Sequence, residues 1–130
     1  EMKSVEEINI LTGQILDSCI TVHKEMGPGL LESVYEICLL KEFEIRGIKA
    51  VGQFPIPLFY KGYELTKDFR IDILVEDEVV IEVKSCETML PVFEAQIISY
   101  LKLSNKRGGI LVNFNVSLLK NGYKRIVNNL

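Results

Sequence analysis

The stretch from Phe69 to Lys84, FRIDILVEDEVVIEVK, constrains the fold more than any other part of the chain. Two apolar runs rich in β-branched residues flank a short acidic break, the pattern of two strands joined by a tight turn. Side chains alternate faces along a strand. Phe69, Ile71, Ile73 and Val75 are therefore expected on one face, with Arg70, Asp72 and Leu74 on the other. On the second strand, Val79, Ile81 and Val83 oppose Val80, Glu82 and Lys84. Cross-strand partners share a face, so matching apolar to apolar selects a three-residue connection, Glu76-Asp77-Glu78. That register pairs Val75 with Val79, Ile73 with Ile81, and Asp72 with Glu82. A two-residue loop would instead set Asp72 beside Ile81. No glycine is present in the turn, and Asp77 is expected to take its left-handed position.

Two carboxylates facing each other repel, and this otherwise apolar hairpin offers no structural reason for the pair. A hard divalent cation resolves the conflict, because magnesium prefers one or two carboxylates plus waters and phosphate oxygens. Lys84, two residues past Glu82 on the same face, suits positioning an attacking water or neutralising phosphate charge. The alternative is a solvated ladder of ion pairs formed by Asp72, Glu82, Arg70 and Lys84 on exposed strands.

The rest of the chain surrounds this hairpin with helices. Residues 5–26 carry Ile8, Leu11, Ile15, Cys19, Val22 and Met26 at three- and four-residue steps, behind a Ser4/Glu7 capping-box spacing. Gly27-Pro28-Gly29 ends that helix. A second is expected over 30–46, with Leu31, Val34, Tyr35, Cys38 and Leu39 inward and Gly47 as its stop. Pro55 and Pro57 demote 54–60 to an edge strand or irregular extended segment. Lys61-Gly62 reads as a turn and 63–65 as a short return. Pro91 suits the first turn of a helix over 91–104. Ile110 to Phe114 reads as a buried strand, 116–121 as a short helix and 123–127 as an edge strand. The order is that of an α/β sandwich around one mixed sheet.

The 130 residues fit one domain spanning the chain, 1–130. No apolar run approaches the ~20 residues that cross a bilayer, and the first residues lack a signal-peptide pattern. Cys19, Cys38 and Cys86 are widely spaced and odd in number, as expected of thiols in a reducing compartment; the cytoplasm is the expected location. His23 is the only histidine and no Cys-x-x-Cys pair occurs, which argues against a zinc site. It is read as a helix-end residue favoured by the dipole. Residues 1–94 hold all eighteen acidic residues and nine basic ones, whereas 95–130 hold six basic residues and no acid. Either a polyanion-binding surface lies beside carboxylate chemistry, or the charges interdigitate on folding.

Asp72 followed by Glu82-Val83-Lys84 resembles the D-x(n)-(D/E)-x-K signature of the PD-(D/E)XK nuclease superfamily. Gly29-Leu30-Leu31-Glu32-Ser33-Val34-Tyr35 is similar to the element that names the GxxExxY branch. Gln96-Ile97-Ile98-Ser99-Tyr100 resembles the Gln-x-x-x-Tyr motif of exonuclease-like members. Ile71 stands where the signature has proline. The resemblance implies a restriction-endonuclease-like αβββαβ core, a mixed central sheet flanked by helices. It implies Asp72 and Glu82 as metal ligands with the Val83 backbone carbonyl, and Glu32 as a further ligand or water-orienting carboxylate. Lys84 would be the catalytic lysine, and Gln96 and Tyr100 would orient the site or the nucleic-acid backbone. Tyr35 is as readily a packing residue. The implied cofactor is Mg2+, with Mn2+ as the alternative, and the implied substrate is DNA before RNA. So small a chain leaves little surface for recognition, which points to a homodimer or a partner protein. The alternative function is a non-catalytic nucleic-acid-binding or complex-forming module that keeps the fold. No glycine-rich nucleotide loop follows a strand, so a nucleotide-dependent metabolic enzyme finds no support.

Overall fold

A computed structural model describes residues 2–128, save the side chains of 66–68. Ser4 starts α1 (Val5–Met26) with a reciprocal capping box. Its Oγ accepts the Glu7 N–H at 3.1 Å, and Glu7 Oε1 accepts the Ser4 N–H at 2.9 Å. Such a cap contributes about 1 kcal/mol. Ile8, Leu11, Ile15, Cys19 and Val22 are buried as their spacing requires, while Met26 at the last turn is exposed. Gly27 and Gly29, both at positive φ, turn the chain into α2 (Glu32–Ile45). Leu31 is the N-cap of that helix and 74% exposed, against the expectation that it faces inward. Its extended backbone precedes the first turn, so it lies off the stripe that buries Tyr35, Leu39 and Phe43.

Five strands follow: β1 (Ala50–Tyr60), β2 (Tyr63–Val75), β3 (Val79–Lys84), β4 (Gly108–Asn113) and β5 (Tyr123–Val127). Helix α3 (Pro91–Ser104) connects β3 to β4, and a short 3-10 turn (Leu119–Gly122) precedes β5. The sheet order is β1-β2-β3-β4-β5, with β3 and β4 parallel and the other neighbours antiparallel. From α2 to β4 the elements run αβββαβ. Strand β1 tolerates Pro55 and Pro57 because it lies on a sheet edge. It begins at Ala50, before the expected start, and β2 is continuous from Tyr63 rather than a short return and a separate strand.

The β2–β3 register is the expected one: Val75 pairs with Val79, Leu74 with Val80, and Ile73 with Ile81. In the turn both Glu76 (φ +52°) and Asp77 (φ +58°) are left-handed, not Asp77 alone. The Glu78 N–H donates to the Val75 carbonyl at 2.9 Å and closes the turn.

Two cores flank the sheet. Ile73, Val75, Ile81, Val83, Ile110 and Val112 pack with α1 and α2 residues such as Ile15, Tyr35 and Phe43. Leu74, Val80 and Leu111 pack with Ile97 and Leu101 of α3. Simple alternation fails beyond Ile73, because Ile71 and Phe69 join Leu74 on the α3 side. The ladder explains why. Gly52 pairs with Ile73 and Phe54 with Ile71, but the pair between them, Gln53 and Asp72, is missing. Gln53 sits at φ +50°, and a left-handed residue reverses which face its successors present. Ala50 and Gly52 therefore lie on the α2 side, and Phe54 and Ile56 on the α3 side.

The segregation of charge along the sequence is partly offset in space, where three of the six basic residues of 95–130 meet acids. Lys106 pairs with Asp77 at 3.0 Å, Arg107 lies 3.9 Å from Glu78, and Lys124 pairs with Glu94. Among the described residues no helix is long and apolar enough to cross a membrane.

Candidate active site

Just past the Ile73–Ile81 pair the two strands stop exchanging backbone hydrogen bonds and use carboxylates instead. The Asp72 N–H donates to Glu82 Oε2 at 2.9 Å, and the Val83 N–H donates to Asp72 Oδ2 at 2.8 Å. Each carboxylate thus takes a backbone donor of the opposite strand, leaving Asp72 Oδ1 and Glu82 Oε1 outside these two bonds. Asp72 is half-buried and Glu82 buried, with 8% of its surface exposed.

Burial is the main reason why the Glu82 carboxyl is raised to about 8, and the Asp72 charge adds to it. The Asp72 N–H and the Lys84 ammonium pull in the other direction. Asp72 is also raised, by burial first; the Val83 N–H and Lys84 oppose this, and Glu32 reinforces it. Two like charges held together away from water are a poor arrangement alone and a good one around a divalent cation. Among the described residues no three His, Cys, Asp or Glu side chains converge as a cage. The pair offers two carboxylates, the hard oxygen donors that divalent cations take.

Lys84 follows on β3, and its Nζ lies 4.4 Å from the centroid of the Phe93 ring on α3. The cation–π contact steadies the ammonium without neutralising it. The chain beyond Lys84 is tied down on several sides. Lys84 O accepts the Phe114 N–H at 2.9 Å. Buried Asn113 accepts the Cys86 N–H at 3.1 Å and donates to the Cys86 carbonyl at 2.9 Å. Ser85 Oγ donates to the Leu30 carbonyl at 2.5 Å, joining β3 to the segment that enters α2.

Of the other residues singled out in the sequence, Tyr100 is half-buried and within electrostatic reach of the pair. Its hydroxyl is raised by burial, then by Glu82 and Asp72. Its ring meets Phe69 edge-on at 6.5 Å. Gln96 lies one turn earlier on α3 and is exposed. Glu32 is exposed at the first position of α2, and its charge reaches Asp72 and Glu36. Tyr35 belongs to the core: its hydroxyl accepts the Leu30 N–H at 3.1 Å and donates to the Gly27 carbonyl at 2.6 Å. Its ring stacks on Phe114 at 4.4 Å. His23 is buried, with Nε2 2.8 Å from the Val116 carbonyl, so it anchors a loop and does not face the carboxylates.

Sequence reasoning missed Glu36, Gln53, Phe93 and Asn113. Glu36 is raised by burial and next by Asp72, which places it beside the pair. The Gln53 Nε2 donates to Glu36 Oε1 at 2.7 Å. The four-residue step from Glu32 to Glu36 on one helical face was a usable signal. Nothing in the sequence marked Gln53, whose importance comes from its backbone conformation.

The sequence model of the PD-(D/E)XK nuclease superfamily matches residues 9–126, nearly the whole chain. The chain belongs to that superfamily. Its αβββαβ core and mixed sheet are the restriction-endonuclease-like fold, and Asp72, Glu82 and Lys84 lie on β2 and β3 of that sheet. Members of the superfamily are typically nucleases and generally use divalent metals. No curated protein and no solved structure matches the chain.

Proposed function

We propose that the protein is a metal-dependent nuclease of the GxxExxY branch, a single domain over 1–130 that hydrolyses phosphodiester bonds of DNA, or of RNA. The observation that carries this reading is the Asp72–Glu82 juxtaposition, where each carboxylate is locked to the opposite strand with Lys84 beside both. Asp72, Glu82 and the Val83 carbonyl would hold Mg2+ or Mn2+. When bound, that ion supplies positive charge to the scissile phosphate and a lowered pKa to water.

The protein's own groups do the rest. Lys84, steadied by Phe93, orients the attacking water or offsets the charge that develops on phosphate oxygens. Glu32 orients water from the start of α2, and Gln96 and Tyr100 hold the nucleic-acid backbone from α3. The free cysteines support a reducing, cytoplasmic setting. Ion pairing at Lys106, Arg107 and Lys124 reduces the cationic surface open to a polyanion. That observation favours a homodimer or a partner protein as the source of substrate recognition.

The test is cleavage of single-stranded, duplex and branched DNA and of RNA, with magnesium or manganese, by wild type, Asp72→Asn and Lys84→Ala. Cleavage by wild type alone is expected. Equal activity in all three would remove the proposed site. Nucleic-acid binding without cleavage would favour a non-catalytic module that keeps the fold.

A further inference from the structure

The β1–β2 pair outlasts the rest of the sheet. Strand β3 ends at Lys84, which the Ile73–Ile81 register, continued, places level with Arg70; β4 ends beside it at Asn113. Pairing of β1 with β2 runs on past that level to Leu58–Leu65, Phe59–Glu64 and Tyr60–Tyr63. The nine residue steps from Asp72 to Tyr63 carry the tip of this arm about 30 Å along the strand. The arm leaves the sheet at the end that holds Asp72, Glu82 and Lys84.

Among the described residues, Phe59 (56%), Tyr60 (60%) and Tyr63 (72%) are the only exposed Phe or Tyr side chains, and all lie at this tip. Tyr60 and Tyr63 are cross-strand partners and share a face with Leu65, while Phe59 lies on the other face with Glu64. Rings therefore flank the tip on both sides. The turn adds a cation. Lys61 (φ +50°) and Gly62 (φ +83°) are a two-residue connection with both φ positive, as in a type I′ turn, where Asn, Asp or Gly is favoured first. Lysine there bears a backbone cost that asparagine would lessen. Among the described residues no acid pairs with Lys61, whose Nζ lies 5.5 Å from the Tyr60 ring centroid. It differs in this from Lys106, Arg107 and Lys124, which meet acids.

We propose that this arm binds single-stranded nucleic acid, with unpaired bases stacked on Tyr60, Tyr63 and Phe59 and a phosphate on Lys61. This rests on the nuclease reading and names its substrate class, a strand whose bases are free at some distance from the scissile bond. A polymer held at the Asp72–Glu82 pair continues beyond it, and the arm is the element that continues in the same direction. Every base has a π face, so aromatic rings grip a strand without reading its sequence. Bases within a duplex are already stacked on their neighbours and offer the rings little.

Binding is measured in chelator, so that no metal contributes, by anisotropy of a labelled twenty-nucleotide DNA strand, the same strand as RNA, and the DNA duplex. The proteins are wild type, Tyr60→Ala/Tyr63→Ala, Tyr60→Phe/Tyr63→Phe and Lys61→Asn, each with its thermal midpoint and its mass in solution. Wild type should prefer a single strand to the duplex. Losing one stacked base costs roughly fivefold or more in affinity, so the double-alanine protein should lose at least that for single strands and little for duplex. The double-phenylalanine protein keeps the rings and should keep the affinity. The chain has no tryptophan, so tyrosine emission reports stacking, and its quenching by the strand should shrink in that variant. Lys61→Asn should weaken binding and lower its salt dependence by about one charge, with the midpoint unchanged or raised. Single-strand affinity within twofold of wild type in the double-alanine protein, or tighter binding of duplex by wild type, overturns the arm's role; cleavage by wild type would then leave the nuclease reading standing. Wild type that neither binds nor cleaves any of the three overturns both. Equal losses for single strand and duplex with a lower midpoint assign the rings to the fold. A wild-type dimer that the double-alanine change splits, with nucleic-acid affinity unchanged, makes the arm a contact between copies instead.

Discussion

Asp72 and Glu82 each accept a backbone N–H from the other's strand, at 2.8 and 2.9 Å, so the pair is pinned by the chain that creates it. The hairpin's own backbone holds the two carboxylates together, and the Lys84 ammonium offsets part of their charge. That arrangement has a measurable consequence for pH and for metal binding.

Glu82→Gln should stabilise the metal-free protein at neutral pH. The folded carboxyl is raised to about 8 from an ordinary 4.5, so the folded state holds its proton where the unfolded state has lost it. Wild-type stability should therefore be intact below about pH 4.5 and decline as pH rises towards 8. Each unit of difference corresponds to about 1.4 kcal/mol, so the advantage of glutamine at pH 8 should reach a few kcal/mol. Denaturant melts of both proteins between pH 4 and 9 would check this, and parallel curves would contradict it.

A divalent cation should stabilise the wild type most where the pair is least comfortable. At pH 7.5, Mg2+ or Mn2+ at a hundred times its dissociation constant should add about 2.7 kcal/mol. The gain should shrink at pH 5, where protonated Glu82 competes with the ion. Asp72→Asn and Glu82→Gln should show little gain at either pH. Thermal shift with chelator controls reads all of these.

Tyr35→Phe separates packing from chemistry. The hydroxyl bridges the Leu30 N–H and the Gly27 carbonyl inside the core, and its loss leaves both unpartnered. The expected cost is about 1–3 kcal/mol. Any nuclease activity per folded molecule should be little changed, because Tyr35 does not adjoin the carboxylates. A large fall in kcat with stability intact would show that the tyrosine acts on substrate.

Gly122→Ala should damage the fold from a distance. A Cβ there would lie 2.2 Å from the Asn113 carbonyl oxygen, and backbone cannot yield as a side-chain tip can. About 3 kcal/mol of destabilisation is expected. Asn113 also clamps Cys86, so protection of the Cys86 amide from hydrogen exchange should fall with it. An unchanged melting midpoint would show that the 3-10 turn shifts freely.

Much of this was legible in the sequence, for identifiable reasons. Matching Ile73 to Ile81 fixed the hairpin register because a one-residue slip would bury charges, and Ser4 with Glu7 marked the start of α1. What escaped was the reversal of faces at Gln53 and Asp72, since alternation presumes a regular strand and a glutamine gives no warning of a left-handed backbone. Leu31 misled for a related reason: helical periodicity was extended one residue into a cap that is not helical. Of the candidate site, the signature residues were readable by their spacing along two strands. Gln53 was not, because its bond to Glu36 spans seventeen residues and joins a helix to a sheet edge.

The pairing of Lys106, Arg107 and Lys124 with acids has a thermodynamic corollary for any polyanion this protein meets. Affinity for nucleic acid rises largely through the counterions that protein cations displace, and cations already neutralised within the fold displace few. The logarithm of association should then fall only gently with the logarithm of salt concentration. If the protein acts on nucleic acid as proposed, such a surface would release its ligand readily, and residence on the strand would depend on contacts other than a broad electrostatic grip.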